Sequence, residues 1–321
     1  MRFLRVSDRG WVQLAGPDAP GFLQRILTSD VLGLAPGGGQ WSALLDGKGK
    51  WVADLLVYRL EGASAPVLGL DCPAERTTAV LKALDRYHFG EDLECSGGNS
   101  SRLLVMGPGA GPVLARCGRK TPPGPFGICP EGELLILARP DRGTPVLEWV
   151  GREEDWKPIQ EALEQDPAAV PAGPEELEGV RIAAFRPRFG AEFDEGSILP
   201  ESGEWQRVSF TKGCYAGQEV VAKVSAFGRA PRLLCRLFFE EGAVVSFTGA
   251  VLEDRAGNRA GRVTSWTLPQ GSSRAVGLGI VRRASAEEGC RLLACRGDQR
   301  AEVEIRLPPL PPRLPEGNPK E

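Results

Sequence analysis

One histidine, His88, is all that 321 residues contain. That scarcity removes Cys/His zinc sites and any Ser-His-Asp or Cys-His catalytic apparatus from consideration. No CxxC pair occurs among the eight cysteines, and the chain is too long and too sparse in cysteine for a disulfide scaffold. They read as thiols, mostly small buried hydrophobes. No apolar run approaches the length that crosses a bilayer, so no membrane role is expected. The first ten residues, MRFLRVSDRG, carry charge throughout and have no signal-peptide h-region, which makes a soluble cytoplasmic protein the expectation. There is no basic excess either. The net charge of −3 argues against a dedicated nucleic-acid binder, and direct nucleic-acid binding is not expected. The GPGAGP stretch lacks both Gly-Lys-Ser/Thr and G-x-G-x-x-G, so it reads as a turn and not a phosphate loop. No repeat of fixed period is present.

What is present suffices for two or three domains with real cores: 42% of residues are apolar and 25% charged. GWVQLAG reads as a strand. The following segment has Phe22, Leu23, Ile26 and Leu27 at helical spacing, with Asp18 before Pro20 as its start. QWSALLDGKGKWVADLLVYRL reads as a hairpin turning at Asp46-Gly47. A strand (APVLGLDC) and a helix carrying Val80, Leu81 and Leu84 on one face come next. SRLLVMG, ELLILA and TPVLEWVG read as strands, and EDWKPIQEALEQD and GPEELEGVRIAAFRP as helices. These mixed runs predict an α+β fold and not a doubly wound sheet. Beyond Lys223 six short strand-like runs separated by turn residues predict a small all-β barrel. The expected division is an α/β region over residues 1–230, a barrel over 231–307 and a disordered proline-rich tail over 308–321, with the boundary near Arg229–Arg232.

The stretch SFTKGCYAGQEVVAK, Ser209–Lys223, carries the most chemistry. Lys212 stands two residues before Cys214, where an ammonium lowers a thiol's pKa from about 8.5 toward neutrality. If Thr211 caps a helix that begins near Gly213, Cys214 also lies in its first turn, where the dipole favours a thiolate. Gly213 and Gly217 allow a tight turn. Gln218 and Glu219 offer donors and acceptors for a heteroaromatic ring edge. Two readings remain open on spacing alone: a poised thiol beside a polar pocket, and an inert packing cysteine with a solvated lysine.

At KGCYAGQE the chain resembles the K-G-C-Y-x-G-Q-E motif of the YgfZ-type folate-binding proteins, which belong to the superfamily of the glycine-cleavage T protein, an aminomethyltransferase. FLQRILTSDV resembles the family's F-L-Q-x-x-L-T-N-D-V, with Ser29 in the Asn position. The hairpin ALLDGKGKWVADLLVYRL and the segment GVRIAAFRPRFGAEFDEGSILPES also match in order, the latter with Phe185 where glycine is usual. The resemblance covers nearly the whole chain apart from the tail.

This resemblance implies the aminomethyltransferase fold: two mixed α/β domains around a central opening, plus a C-terminal β-barrel. It implies tetrahydrofolate, or a one-carbon-substituted folate, bound in that opening. The implied role is support of iron–sulfur cluster assembly or repair in client enzymes, tRNA-modifying enzymes among them. Cys214 and Lys212 are its implied active residues, with Tyr215, Gly217, Gln218 and Glu219 shaping the site. Asp54 is implied as the carboxylate near the folate nitrogens, with Arg181 and Glu192 as further folate contacts. Arg181 suits a glutamate carboxylate because its guanidinium is a fork of donors. No resident metal is expected, since no four-cysteine framework exists. A folate-dependent aminomethyltransferase or related one-carbon transferase is the alternative. The superfamily's pterin-holding G-Y-T-G-E segment is missing from RPDRGTPVLEWVG, which counts against the glycine-cleavage reaction. An RNA-binding module is a third reading. His88 has no role beyond packing or surface.

Overall fold

In the computed structural model, residues 1–60, 65–107, 111–112, 120–122, 124–139, 142–227 and 230–310 are described. The middle of the turn expected at GPGAGP (108–110), Cys117, part of the expected boundary at 228–229 and the tail from 311 onward lie outside them.

Two antiparallel-rich sheets and a barrel make up the architecture. The first sheet has five strands in the order β3-β4-β5-β2-β6: β2 (Arg9–Ala15), β3 (Gly39–Leu45), β4 (Trp51–Leu60), β5 (Val67–Pro73) and β6 (Glu94–Asn99). The hairpin expected at Asp46-Gly47 is the β3–β4 turn. Lys48 N and Lys50 N both donate to Asp46 Oδ1, at 2.8 and 2.9 Å. One face of this sheet is apolar because side chains alternate with period two. Val12, Leu14, Ala53, Leu55, Val57, Leu68 and Leu70 pack under α1 (Ala19–Ile26) and α2 (Thr77–Tyr87). The alternate residues, among them Arg9, Asp54 and Asp71, point the other way.

The second sheet has six strands in the order β11-β1-β7-β10-β9-β8: β1 (Arg2–Val6), β7 (Ser101–Met106), β8 (Ile128–Glu131), β9 (Leu134–Ala138), β10 (Val146–Gly151) and β11 (Val170–Pro171). Its outer face packs on α3 (Glu153–Glu164) through Trp149, Trp156 and Ile159. Leu56 and Tyr58 of the first sheet meet Ile128, Leu137 and Val150 of the second in a shared core. β1, β6 and β8 were not expected from the sequence. Each is short, and β6 (ECSGGN) has no apolar alternation; its backbone is ordered by pairing with β2.

After α4 (Pro174–Ala183), α5 (Leu199–Ser202) and α6 (Gln218–Phe227), the chain closes a barrel in the order β12-β15-β14-β13-β16-β17. Its strands are β12 (Arg232–Glu241), β13 (Val251–Glu253), β14 (Arg259–Thr267), β15 (Arg274–Arg282), β16 (Arg291–Arg296) and β17 (Gln299–Arg306). Closure leaves no free edge, and Cys235, Leu237, Phe239, Leu252, Val263 and Val303 fill the interior. The α+β fold with a C-terminal barrel expected from the sequence is the observed one.

Candidate functional site

A cavity of about 280 Å³ opens where the first sheet, the second sheet, α4 and the turn after it converge. Arg9, Trp41 and Asp54 line it from the first sheet, Arg139 and Arg142 from the second, and Arg181 from α4. Asp54 is buried, and its two oxygens differ. Oδ2 accepts from Arg9 Nη1 at 3.1 Å, with Arg207 Nη2 3.8 Å away. Oδ1 has no hydrogen-bond partner. A buried carboxylate oxygen without a donor is a costly feature for the fold alone, and this one belongs to a residue of the cavity wall.

Behind Asp54 lies a buried ionic network. Asp71 accepts from Arg9, Arg102 and Arg139, and Glu148 pairs with Arg102, Arg139 and Arg142. Burial alone would raise the Asp71 carboxyl. Arg102, Arg139 and Arg9 overcome that and hold it far below the usual carboxylate range. The network joins the two sheets, and nothing in the local sequence signalled it.

Two expected ligand residues have other tasks. Every N–H of the Arg181 guanidinium is engaged within the protein: Nε and Nη2 on Glu178, Nη1 on Arg186 O at 2.9 Å and Glu192 at 3.1 Å, Nη2 also on Ser265 Oγ at 3.1 Å. Glu192 is likewise closed, taking Arg181, the Arg188 backbone N–H at 2.9 Å and the Ser265 hydroxyl. These residues tie α4 to barrel strand β14. The carboxylate fork expected of Arg181 therefore has no free donors, and Glu192 does not line the cavity.

The KGCYAGQE segment lies off the cavity wall. The helix in it starts at Gln218, four residues after Cys214, so Thr211 does not cap it and Cys214 is not in its first turn. The Lys212 ammonium turns away to the C-terminal end of α1 and donates to Gln24 O at 2.6 Å, Ser29 O at 2.9 Å and Leu27 O. All three of its hydrogens are thus taken by carbonyls at the end of α1 and just beyond it, where backbone acceptors lack intrahelical partners. The same ammonium lies over the Tyr215 ring, with Nζ 5.2 Å from its centroid. Tyr215 is buried with Trp51, Phe193, Leu199 and Trp205, and burial pushes its phenol up to about 12.

Gly217 has φ +79°, and a Cβ there would come 2.5 Å from Asp46 O of the β3–β4 turn, so glycine is required by both conformation and space. Gln218 Oε1 accepts from Tyr215 N at 3.3 Å, closing the turn that enters α6. The segment is therefore pinned at Lys212, Tyr215, Gly217 and Gln218, and this leaves Cys214 and Glu219 exposed. The lysine expected to tune the thiol is instead a clamp on α1. By contrast, burial pushes the thiols of Cys72 and Cys235 up to about 11 and about 12, which makes them inert.

Burial also lowers Lys212 to about 8, with Asp30 opposing. Since this lies below the ordinary value, the unfolded chain holds the extra proton between about pH 8 and 10.4, and stability rises with pH across that window. Lys212→Met should abolish that slope. It should also cost about 1–3 kcal/mol at neutral pH, a value reduced because the group is only half buried. Urea unfolding midpoints of both proteins from pH 7 to 10 measure this; parallel profiles would refute the lowered pKa, and equal midpoints at pH 7 would refute the clamp.

Residues 3–125 match the GCVT N-terminal domain. Over almost its whole length the chain is similar to named aminomethyltransferases: 29% identical to that of Bacillus velezensis, covering 94% of this chain and 81% of that one, and 25% identical to that of Staphylococcus carnosus, covering 91% and 82%. The crystal structure of the glycine cleavage system aminomethyltransferase T from Bartonella henselae superposes with a TM-score of 0.87 at 21% identity, over 95% of this chain and 84% of that one. The fold of this protein is thus the aminomethyltransferase fold. Among its described residues no group of three or more His, Cys, Asp or Glu side chains could hold a metal ion, and no helix is long and apolar enough to cross a membrane.

Proposed function

We propose that this protein binds a reduced folate in the central cavity and acts in one-carbon transfer of the aminomethyltransferase class. The observation that carries this is Asp54 Oδ1, a buried acceptor without a donor at the cavity wall. The residues present fit such a ligand. Asp54 would accept from a pterin N–H, Trp41 and Phe189 offer flat walls, and the arginine-rich side suits a glutamate tail. When bound, a reduced folate supplies the ring and bridge nitrogens that carry a one-carbon unit. The protein's part is to hold those nitrogens beside Asp54 and to exclude water around them.

Similarity to named aminomethyltransferases along nearly the full chain supports the transferase reading above the others. Glycine cleavage itself is not supported. Where a pterin-holding glutamate would stand, the carboxylate among the described residues of 139–151 is Glu148, already held by Arg102, Arg139 and Arg142. The YgfZ-type reading, support of iron–sulfur client or assembly proteins, is a second possibility favoured by one observation: the pinned loop presents Cys214 outward.

Calorimetric titration with tetrahydrofolate and its methylene and formyl forms tests the shared part, with micromolar binding expected, on the order of −8 kcal/mol. No heat and no thermal stabilisation at saturating ligand would sink it. A tetrahydrofolate-dependent methylene-transfer assay from an aminomethyl carrier then separates the readings. Turnover supports the transferase. Folate binding without turnover, with rescue of an iron–sulfur enzyme by the native protein and not by Cys214→Ala, supports the accessory role.

A further inference from the structure

Six arginines on the cavity wall, Arg9, Arg139, Arg142, Arg181, Arg188 and Arg207, are ion-paired with buried or half-buried carboxylates. Arg186 is different. Among the described residues it has no carboxylate partner, and its buried Nε has no hydrogen-bond partner at all. Its guanidinium lies over the Trp41 indole, 5.6 Å from the ring centroid. The backbone that aims it is specific. Arg181 Nη1 grips Arg186 O, and Phe185 just before it takes φ +54°. That left-handed conformation costs a non-glycine residue about 1–2 kcal/mol. The Phe185 side chain is held in return by Phe238, at 5.2 Å between centroids, and by the Arg236 guanidinium 5.1 Å above its ring.

Arg236, on β12, also lacks a carboxylate partner among the described residues. Arg186 and Arg236 together line a second pocket of about 190 Å³ between the turn after α4 and the barrel. This side pocket shares Trp41, Arg186, Pro187 and Glu204 with the central cavity, so the two adjoin. Glu204, the carboxylate in its lining, is paired with Arg207 at 3.0 Å. The side pocket therefore has two cations backed by aromatic faces and no free anion to balance them. Stacking occupies the face of a guanidinium and leaves its edge donors for a carboxylate fork.

We propose that this side pocket is an anion subsite, which takes the carboxylates of a γ-linked polyglutamate chain running out from a ligand in the central cavity. It rests on the folate reading for what fills the cavity. The subsite assigns the carboxylate-binding role to Arg186, with Arg181 as the residue that positions it. Leu234, Leu278 and Pro308 complete the pocket with apolar surface that suits the methylene links of such a chain.

The test compares three compounds on the full chain by calorimetry: tetrahydrofolate monoglutamate, tetrahydrofolate triglutamate, and p-aminobenzoyl-triglutamate, which has the tail without the pterin. The triglutamate should bind at least about tenfold tighter than the monoglutamate, by an increment that shrinks as salt is raised. Arg186→Gln should bring the two to within about twofold, Arg236→Gln should remove part of the gain, and Arg186→Lys, which keeps the charge but not the fork, should retain part of it. Circular dichroism and melting temperature confirm that each variant is folded, and the lysine variant keeps the test valid if the glutamine one is not. Equal binding of both folates by the native protein, or an undiminished gain in folded Arg186→Gln, overturns the subsite. Arg186-dependent binding of p-aminobenzoyl-triglutamate with no binding of either folate overturns the folate reading and keeps the subsite. No binding of any of the three overturns both.

Discussion

Asp71→Asn should remove about 3–5 kcal/mol of stability and lower the melting temperature by roughly 10 °C. Asp71 is fully buried and accepts from three arginines, of which Arg102 is also fully buried. An amide in its place has nearly the same shape but no charge, so Arg9, Arg102 and Arg139 would be left sharing Asp54 and Glu148. Uncompensated buried cations are far more costly than the loss of one ordinary hydrogen bond. The damage would also be global, because Arg9 and Asp71 belong to the first sheet while Arg102, Arg139 and Glu148 belong to the second.

The same residue predicts an acid dependence. Its folded pKa is depressed below the ordinary value of about 3.9, so its contribution is present above that value and lost as pH falls below it. Asp8 behaves alike: burial opposes, but Arg142 prevails and holds the carboxyl well below its ordinary range. Melting curves of the native protein and of Asp71→Asn between pH 3 and 7 check both statements. The native protein should lose stability at the acid end, and the variant should start lower and change less. A variant melting within about 2 °C of the native protein at pH 7 would show that the network is not a staple between the sheets.

Asp54→Asn should weaken tetrahydrofolate binding by about 10–100-fold and leave the fold intact. The variant keeps an oxygen that can accept from Arg9 in place of Oδ2, so the ionic network changes less than it does at Asp71. What it loses is the charge of the acceptor proposed for the ligand, and charge-assisted hydrogen bonds are roughly twice as strong as neutral ones. The two aspartates therefore separate function from stability: Asp71→Asn should act on melting first, Asp54→Asn on affinity first. A dissociation constant unchanged in a folded Asp54→Asn protein would remove Asp54 from the binding site.

The hairpin at Asp46-Gly47, the helices holding Phe22 and Val80, and the six barrel strands were legible because each rests on local periodicity and turn chemistry. β6 was not, because its order comes from hydrogen bonds to β2, which is remote in sequence. The candidate site divides the same way. Asp54 was named from the segment match alone, and it does line the cavity. Position in the matched segment was the only guide to Arg181, and it gave no signal for Arg186. The choice turns on which guanidinium has already been satisfied by Glu178, Glu192 and Ser265.

The amino-acid sequence by itself determined the α+β architecture, the C-terminal barrel and the hairpin that carries Asp54, since alternation of apolar residues and the placing of glycine and proline act over a few residues. Only the tertiary structure decided what the charged residues do. Lys212 sits two places from Cys214 along the chain, yet its ammonium is bound to carbonyls 183 to 188 residues away. Long charged side chains choose among all the partners that folding brings within reach, and burial makes that choice energetically decisive. For that reason the tertiary structure makes Lys212 a clamp, closes Arg181 and Glu192, and leaves Asp54 Oδ1 and Arg186 unsatisfied at the cavity.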